Sequence, residues 1–167
     1  KITKLESVNW SEINVLFTCL PAGESQVIIK SLIKHKNLKI IDLSADFRLN
    51  KEFSYKKHYG FKHKAKHLLK LSIYSLTEFV KKEIKKYKII ACPGCYPTSI
   101  QLPLIPLLKT NLIKKKNIII DSKSGYSGAG KNLRKKFTHK NLYSSIHAYG
   151  IHKHRHTSEI DQEFSKI

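Results

Sequence analysis

Methionine is missing from all 167 residues, position 1 included, although synthesis starts with it. Trp10 already stands close before an apolar run, so there is no obvious leader to remove. We therefore expect an internal piece of a longer polypeptide. Only three cysteines occur, at 19, 92 and 95. That is too few for a disulfide framework and points to a reducing, cytoplasmic compartment. No run of 18 apolar residues exists and no signal-peptide pattern appears, which argues against a membrane span and secretion. Arginine is also scarce: it stands only at 48, 134 and 155, although the chain carries a formal charge of +20. Readout of bases leans on arginine. The lysines are spread along the whole chain beside abundant Ile, Asn and Tyr, as AT-rich codon bias would spread them. The charge alone therefore does not make nucleic acid the expected partner; a basic nucleic-acid-binding module is the rival from another class.

What is present is a globular composition, with 41% apolar residues, long enough for one domain or one domain and part of a second. Residues 14–20 are a continuous apolar run broken by Pro21-Ala22-Gly23, which reads as a buried strand. Val27, Ile28, Leu32 and Ile33 follow at helical spacing up to about Asn37. Residues 38–43 form a second strand that leaves through Ser44-Ala45-Asp46. Ser75-Leu76-Thr77-Glu78 has a capping-box pattern and predicts a helix over Phe79, Val80, Ile84 and Tyr87. Residues 88–92 are a third strand. The Lys-rich stretch 56–70 reads as a solvated loop or helix face. Residues 98–109 predict a buried helix that Pro103 and Pro106 should kink or shorten, and 117–122 a further strand. This alternation predicts an α/β fold on a parallel sheet, with ligands at the carboxyl ends of the strands.

Chemistry concentrates in Pro93-Gly94-Cys95, a turn that presents a thiol where a helix begins. Unpaired N–H groups and the positive end of the helix dipole favour thiolate there. A buried structural cysteine is the competing reading. The spacing Cys92-Pro93-Gly94-Cys95 also admits disulfide exchange. Gly125 to Lys131 matches the front of a P-loop, but Asn132 stands where a Ser or Thr hydroxyl is needed, so a glycine loop that lets backbone approach a ligand is preferred. His147, His152, His154 and His156 cluster near Glu159 and Asp161 without a usual zinc spacing, and no metal is expected. A nucleophilic thiolate with one histidine as proton shuttle is the remaining reading, and spacing does not choose among the histidines.

At this point the residues resemble one family, the N-acetyl-γ-glutamyl-phosphate reductases, NADPH-dependent enzymes of arginine biosynthesis. The matching segments come in the family's order. They are Leu20-Pro21-Ala22-Gly23-Glu24-Ser25, Ile41-Asp42-Leu43-Ser44-Ala45-Asp46-Phe47-Arg48-Leu49, His58-Tyr59-Gly60-Phe61, Pro93-Gly94-Cys95-Tyr96-Pro97-Thr98, Ser124-Gly125-Tyr126-Ser127-Gly128-Ala129-Gly130-Lys131 and His154-Arg155-His156-Thr157-Ser158-Glu159-Ile160. The resemblance implies a Rossmann-like NADP-binding domain over 1–94, and part of an α+β catalytic and dimerisation domain of the semialdehyde-dehydrogenase type over 95–167. It implies Cys95 as nucleophile and His154 as acid/base, with Leu20, Pro21, Ser44 and Ala45 lining the NADP crevice. Ser124, Gly125, Gly128 and Gly130 would lie beside the nicotinamide. Arg155 is the candidate anchor for a carboxylate or phosphate of an acyl-phosphate substrate. A homo-oligomer is expected at full length. The chain departs from the family at Cys92, where Asn is usual, and at Ser158, where Pro is common. No glycine fingerprint precedes residue 14, so the first βαβ unit, the one that cradles a pyrophosphate, is expected to be missing. A related semialdehyde dehydrogenase, of the aspartate or aminoadipate type, is the nearest rival.

Overall fold

Three of the apolar runs pair as expected, because strands buried on both faces need neither alternation nor polar edges. The computed structural model describes residues 2–128, 145–146 and 148–167. In it β1 (Val15–Thr18), β2 (Lys39–Asp42), β3 (Ser72–Tyr74) and β4 (Ile89–Ala91) form one parallel sheet in the order β1-β2-β4-β3. Ile40 faces Leu16 on one side and Ile89 on the other, while Ile73 and Ile90 continue the register to the far edge. Every residue of β4 is buried, and β1 is the more exposed edge. The helices are α1 (Ser25–Leu32), α2 (Glu52–Tyr59), α3 (Thr77–Val80), α4 (Cys95–Lys109) and α5 (Thr157–Phe164). Ile29, Leu32, Leu38, Ile40, Phe47, Ala65, Leu68, Ile89 and Ala91 form the core.

Several sequence expectations are corrected. Helix α1 ends at Leu32 and buries Ser25, Gln26, Ile29 and Leu32, while Val27 is half exposed. Its inner face is turned because Ser25 and Gln26 are needed for hydrogen bonds below the sheet. The capping box does not form. Ser75 N–H continues the sheet by donating to Ala91, Leu76 takes the N-cap position, and α3 stops after one turn. A separate 3-10 turn, Ile84–Lys86, then leads into β4. Strand β3, hidden inside a Lys-rich neighbourhood, was not expected. The stretch 56–70 does expose its lysines, but it sends His63, Ala65 and Leu68 into the interior. His63 Nδ1 accepts from Ala65 N–H and Nε2 lies 2.9 Å from the Asp46 carbonyl, so the ring is neutral with its proton on Nε2. Burial pushes its pKa down, consistent with that form. Helix α4 runs through both Pro103 and Pro106 for fifteen residues. Burial of Ile100, Gln101, Ile105 and Leu108 along one face holds it despite the lost backbone bonds. Residues 117–122 form no strand, and Ile119 is almost fully exposed, since the run meets no sheet edge among the described residues.

The loops after the strands are set by two carboxylates with no exposed surface. Asp42, at the end of β2, accepts from Thr18 Oγ1 (2.7 Å), Ser25 Oγ (2.8 Å), Ser44 N–H (3.1 Å) and Ser44 Oγ (2.8 Å). Asp46 accepts from the N–H groups of Gly23 (2.8 Å) and Gln26 (2.9 Å) and from the Tyr55 hydroxyl (2.6 Å). Replacing Asp42 by Ala strands three hydroxyls and an amide in the interior, each worth about 1–3 kcal/mol when left unpaired. We expect Asp42→Ala to lower the urea midpoint at constant slope by the equivalent of at least about 3 kcal/mol, and Asp42→Asn by clearly less.

Candidate active site

Carboxyl ends of neighbouring parallel strands bring their following loops together. Leu20-Pro21 leaves β1, Ser44-Ala45 leaves β2 and Pro93-Gly94-Cys95 leaves β4, so the three loops follow the carboxyl ends of neighbouring strands. Leu20 and Ala45 are half-buried, Pro21 is exposed and Ser44 is buried. Cys95 is the first residue of α4 and is exposed, with Gly94 as N-cap in extended backbone. The first amides of a helix have no intrahelical partner. Pro97 removes one of them, and Thr98 N–H returns to the Gly94 carbonyl at 3.0 Å. The Cys95 and Tyr96 amides remain as the donors of this turn. Cys92 differs from Cys95: it is half-buried, and burial followed by the Asp42 charge pushes its thiol up, with Arg48 opposing. Cys95 is therefore the accessible thiol of the pair.

The histidine segment folds back onto this turn. The Tyr96 ring meets His154 edge-on at 5.4 Å and His156 at 6.0 Å, and Tyr149 meets His154 at 5.1 Å. Two glycines make room for the rings. A Cβ on Gly94 would overlap His156 at Nε2, and one on Gly150, whose φ is +63°, would lie 2.9 Å from His154 Cδ2. His154 Nδ1 accepts the His156 N–H at 3.3 Å, which leaves the proton of the neutral ring on Nε2. Burial and then the Arg155 charge push its pKa down. Partial burial, the hydrogen bond to Tyr96 and the charges of Tyr96 and Cys95 push the Tyr149 hydroxyl up, so Tyr149 shares the neighbourhood of the thiol. Arg155 is exposed, 5.7 Å over the ring of Tyr59. Cys95, His154 and Arg155 thus lie in one region.

Two members of the region were not given roles by the sequence. His156 has a buried Nδ1 without a hydrogen-bond partner, and its pKa is pushed down to about 4, by burial first and then by His154, Arg48 and Arg155. Glu159 is wholly buried, with its carboxylate on the Gly94 amide. Both lie in the segment quoted for the resemblance, but only packing distinguishes them from its exposed members. The glycine loop is less closely tied to the thiol. Residues 126–128 make a single 3-10 turn, and the hydrogen bonds of Ser124 and Gly128 stay within it. Gly130 and His147 lie outside the described residues. No group of three or more His, Cys, Asp or Glu that could hold a metal occurs among the described residues.

The start of α1 bears directly on whether a dinucleotide fits these strand ends. It is already filled by the Asp46 carboxylate, which takes the Gly23 and Gln26 amides and would repel a pyrophosphate.

Gly94→Ala should displace the His156 ring. In an NMR titration we expect His156 to move from near pH 4 towards the ordinary 6.5 in that variant. In the parent chain, the unfolded state binds the extra proton between about pH 6.5 and 4. His156 should therefore make stability fall as pH drops through that window, adding a slope of at most one proton to that of the other depressed histidines, His63 and His154. His156→Gln should reduce the slope by that amount in urea titrations.

Two family models match the chain: the NAD binding domain of semialdehyde dehydrogenase over residues 1–87 and the semialdehyde dehydrogenase dimerisation domain over 95–167. A protein of Arabidopsis thaliana named probable N-acetyl-gamma-glutamyl-phosphate reductase, chloroplastic, is 48% identical over 99% of this chain and 41% of its own length. N-acetyl-gamma-glutamyl-phosphate reductases of Afipia carboxidovorans and Rhodospirillum rubrum are 43% and 46% identical, over 99% and 98% of this chain. The chain spans 41–48% of the length of these three relatives. With a parallel sheet below and a cysteine-led helix above, this chain belongs to the semialdehyde dehydrogenase family, and the relatives it matches along nearly its whole length carry the name N-acetyl-γ-glutamyl-phosphate reductase.

Proposed function

We propose that this chain carries the nucleophile and part of the cofactor crevice of a reductase that converts N-acetyl-L-glutamyl 5-phosphate to N-acetyl-L-glutamate 5-semialdehyde and phosphate, within arginine biosynthesis. The carrying observation is Cys95 at the exposed first turn of α4, where the next residue, Tyr96, meets the ring of His154 at 5.4 Å. The Cys95 thiolate attacks the acyl carbon, the C–O bond to phosphate breaks, and a thioester forms on the sulfur. The Cys95 and Tyr96 amides face the developing oxyanion. NADPH supplies the hydride when bound. His154, neutral and carrying its proton on Nε2, holds the carbonyl oxygen by a hydrogen bond as it gains charge. The proton stays on the ring while the oxyanion collapses, the C–S bond breaks and the thiolate leaves. Arg155 anchors the substrate's carboxylate or phosphate as a charged fork.

Leu20, Pro21, Ser44 and Ala45 line the cofactor crevice, with Ser124, Gly125, Gly128 and Gly130 on its nicotinamide side. The pyrophosphate is held elsewhere, since Asp46 occupies the start of α1. Residues 1–94 act as the cofactor-binding part and 95–167 as the catalytic and dimerisation part, and the dimerisation-domain match supports a homo-oligomer. Three free cysteines and no membrane-long apolar helix among the described residues accord with a reducing compartment, the cytoplasm.

The test follows NADPH oxidation with N-acetyl-glutamyl 5-phosphate, aspartyl 4-phosphate and the aminoadipyl phosphate as competing substrates. The acetylated glutamyl substrate should be preferred; preference for another moves the chain to the rival semialdehyde dehydrogenases. Cys95→Ser should lower turnover by about a thousandfold or more, and substantial residual activity would sink the role of Cys95.

A further inference from the structure

The turn that presents Cys95 is held from below by a buried ion pair whose partners lie 111 residues apart in the chain. Arg48 spends its whole guanidinium on this place. Nε donates to the Cys92 carbonyl at 2.8 Å, Nη2 to the Leu43 carbonyl at 2.8 Å, and Nη1 to Glu159 Oε1 at 3.2 Å. It thereby ties the ends of β2 and β4 to α5. Glu159, with no exposed surface, turns its other oxygen to the Gly94 amide at 2.9 Å, and the Tyr74 hydroxyl lies 3.1 Å from that same oxygen. Gln101 Nε2 donates to the Glu159 carbonyl at 3.0 Å, so α5 is also bonded to the second turn of α4. Both carboxylate oxygens accept, as the ionised form does.

We propose that Glu159 is a positioning residue for Cys95: held by Arg48, its carboxylate clamps the Gly94 amide and so fixes the nucleophile's turn against the segment that carries His154 and His156. The inference rests on the reading of Cys95 as nucleophile and goes beyond it. Pro97 lacks an amide, so three begin α4, those of Gly94, Cys95 and Tyr96, and the Gly94 amide is the one bonded to a buried side chain. With Gly94 N–H drawn to Glu159, the Gly94 carbonyl points into the helix, where Thr98 N–H and Oγ1 both take it, and the Cys95 and Tyr96 amides are left for the thiol side. The same carboxylate is 4.0 Å from His156 Nε2 and so spaces that ring over Gly94. Glu159 touches neither substrate nor the reacting sulfur in this arrangement; it acts through the backbone of Gly94.

A clamp and a through-space charge have opposite signatures at the thiol. Removing a negative charge near Cys95 while Arg48 remains favours thiolate and speeds alkylation. Removing the clamp misaligns the donor amides and slows it. The other charged or titratable groups around the thiol, Tyr96, Tyr149, His154, Arg155 and His156, and those around Glu159, Arg48, Tyr59 and Tyr74, all remain in the variant, while Tyr59 and Tyr74 lose the carboxylate charge that raises them. Glu159→Gln forces an NH2 group against either Gly94 N–H or Arg48. We expect iodoacetamide to modify Cys95 about tenfold more slowly at pH 7 in that variant, corresponding to an upward shift of about one pH unit in the rate profile, read by peptide mass spectrometry that separates Cys95 from Cys19 and Cys92. Arg48→Lys, which keeps the charge but cannot reach three acceptors, should move the profile the same way. Unchanged or faster alkylation in Glu159→Gln overturns the proposal. Hydrogen exchange on the unaltered chain needs no variant to fold. The Gly94 amide should be protected at least about a hundredfold more than those of Cys95 and Tyr96, and equal exchange overturns the clamp. Neither readout involves turnover, so an active Cys95→Ser enzyme would remove the functional reading while leaving these outcomes to decide the clamp.

Discussion

Three carboxylates without exposed surface, Asp42, Asp46 and Glu159, organise everything at the carboxyl ends of the strands. In a chain of net charge +20 they might be expected to pair with lysines, yet the lysines stay outside. Asp42 and Asp46 are satisfied by hydroxyls and backbone amides, and Glu159 by Arg48, a tyrosine and one amide. A buried carboxylate with several donors cannot move without stranding them, because each unpaired donor in the interior is expensive. The loops they bind are consequently rigid where a catalytic turn has to be rigid. Lysine could not replace Arg48, since a single ammonium does not span Leu43, Cys92 and Glu159 in a fixed fork.

The same ends carry the chemistry. Parallel strands leave their carboxyl termini on one side, so a thiol after β4, small residues after β2 and a proline after β1 meet without any further instruction. Helix α5 then closes on α4 through Glu159 and Gln101, and His154 and His156 come to rest against Tyr96 and Gly94, the neighbours of Cys95. Gly94 and Gly150 are the positions where a side chain would collide with those rings.

Much of this was readable from the chain. Apolar runs marked β1, β2 and β4, although among them only β4 is buried throughout and Val15 and Phe17 of β1 are exposed. Pro93-Gly94-Cys95 drew attention to Cys95 because a thiol after a turn and before a helix meets unpaired amides, and the exposed first turn of α4 accords with the nucleophile proposed there. The ordered segments identified the family, which the family models and relatives bear out. Other elements were not readable. β3 is three residues long and carries no pattern of its own; it exists because β4 offers an edge. The capping box lost Ser75 to the sheet, the prolines of α4 were overruled by burial, and 117–122 found no partner strand.

What the sequence alone determined is the class of fold and the family, since these rest on local pattern and on residue chemistry in fixed order. What only the tertiary structure decided is which polar residues are buried and whom they bind. Glu159 and Glu163 are four positions apart on one helix and identical in kind. One clamps the catalytic turn while the other meets Lys166 and Gln162 on the rim of the same helix. Nothing local separates them, because a carboxylate's role is set by the donors that packing brings to it from strands and turns far away in the chain.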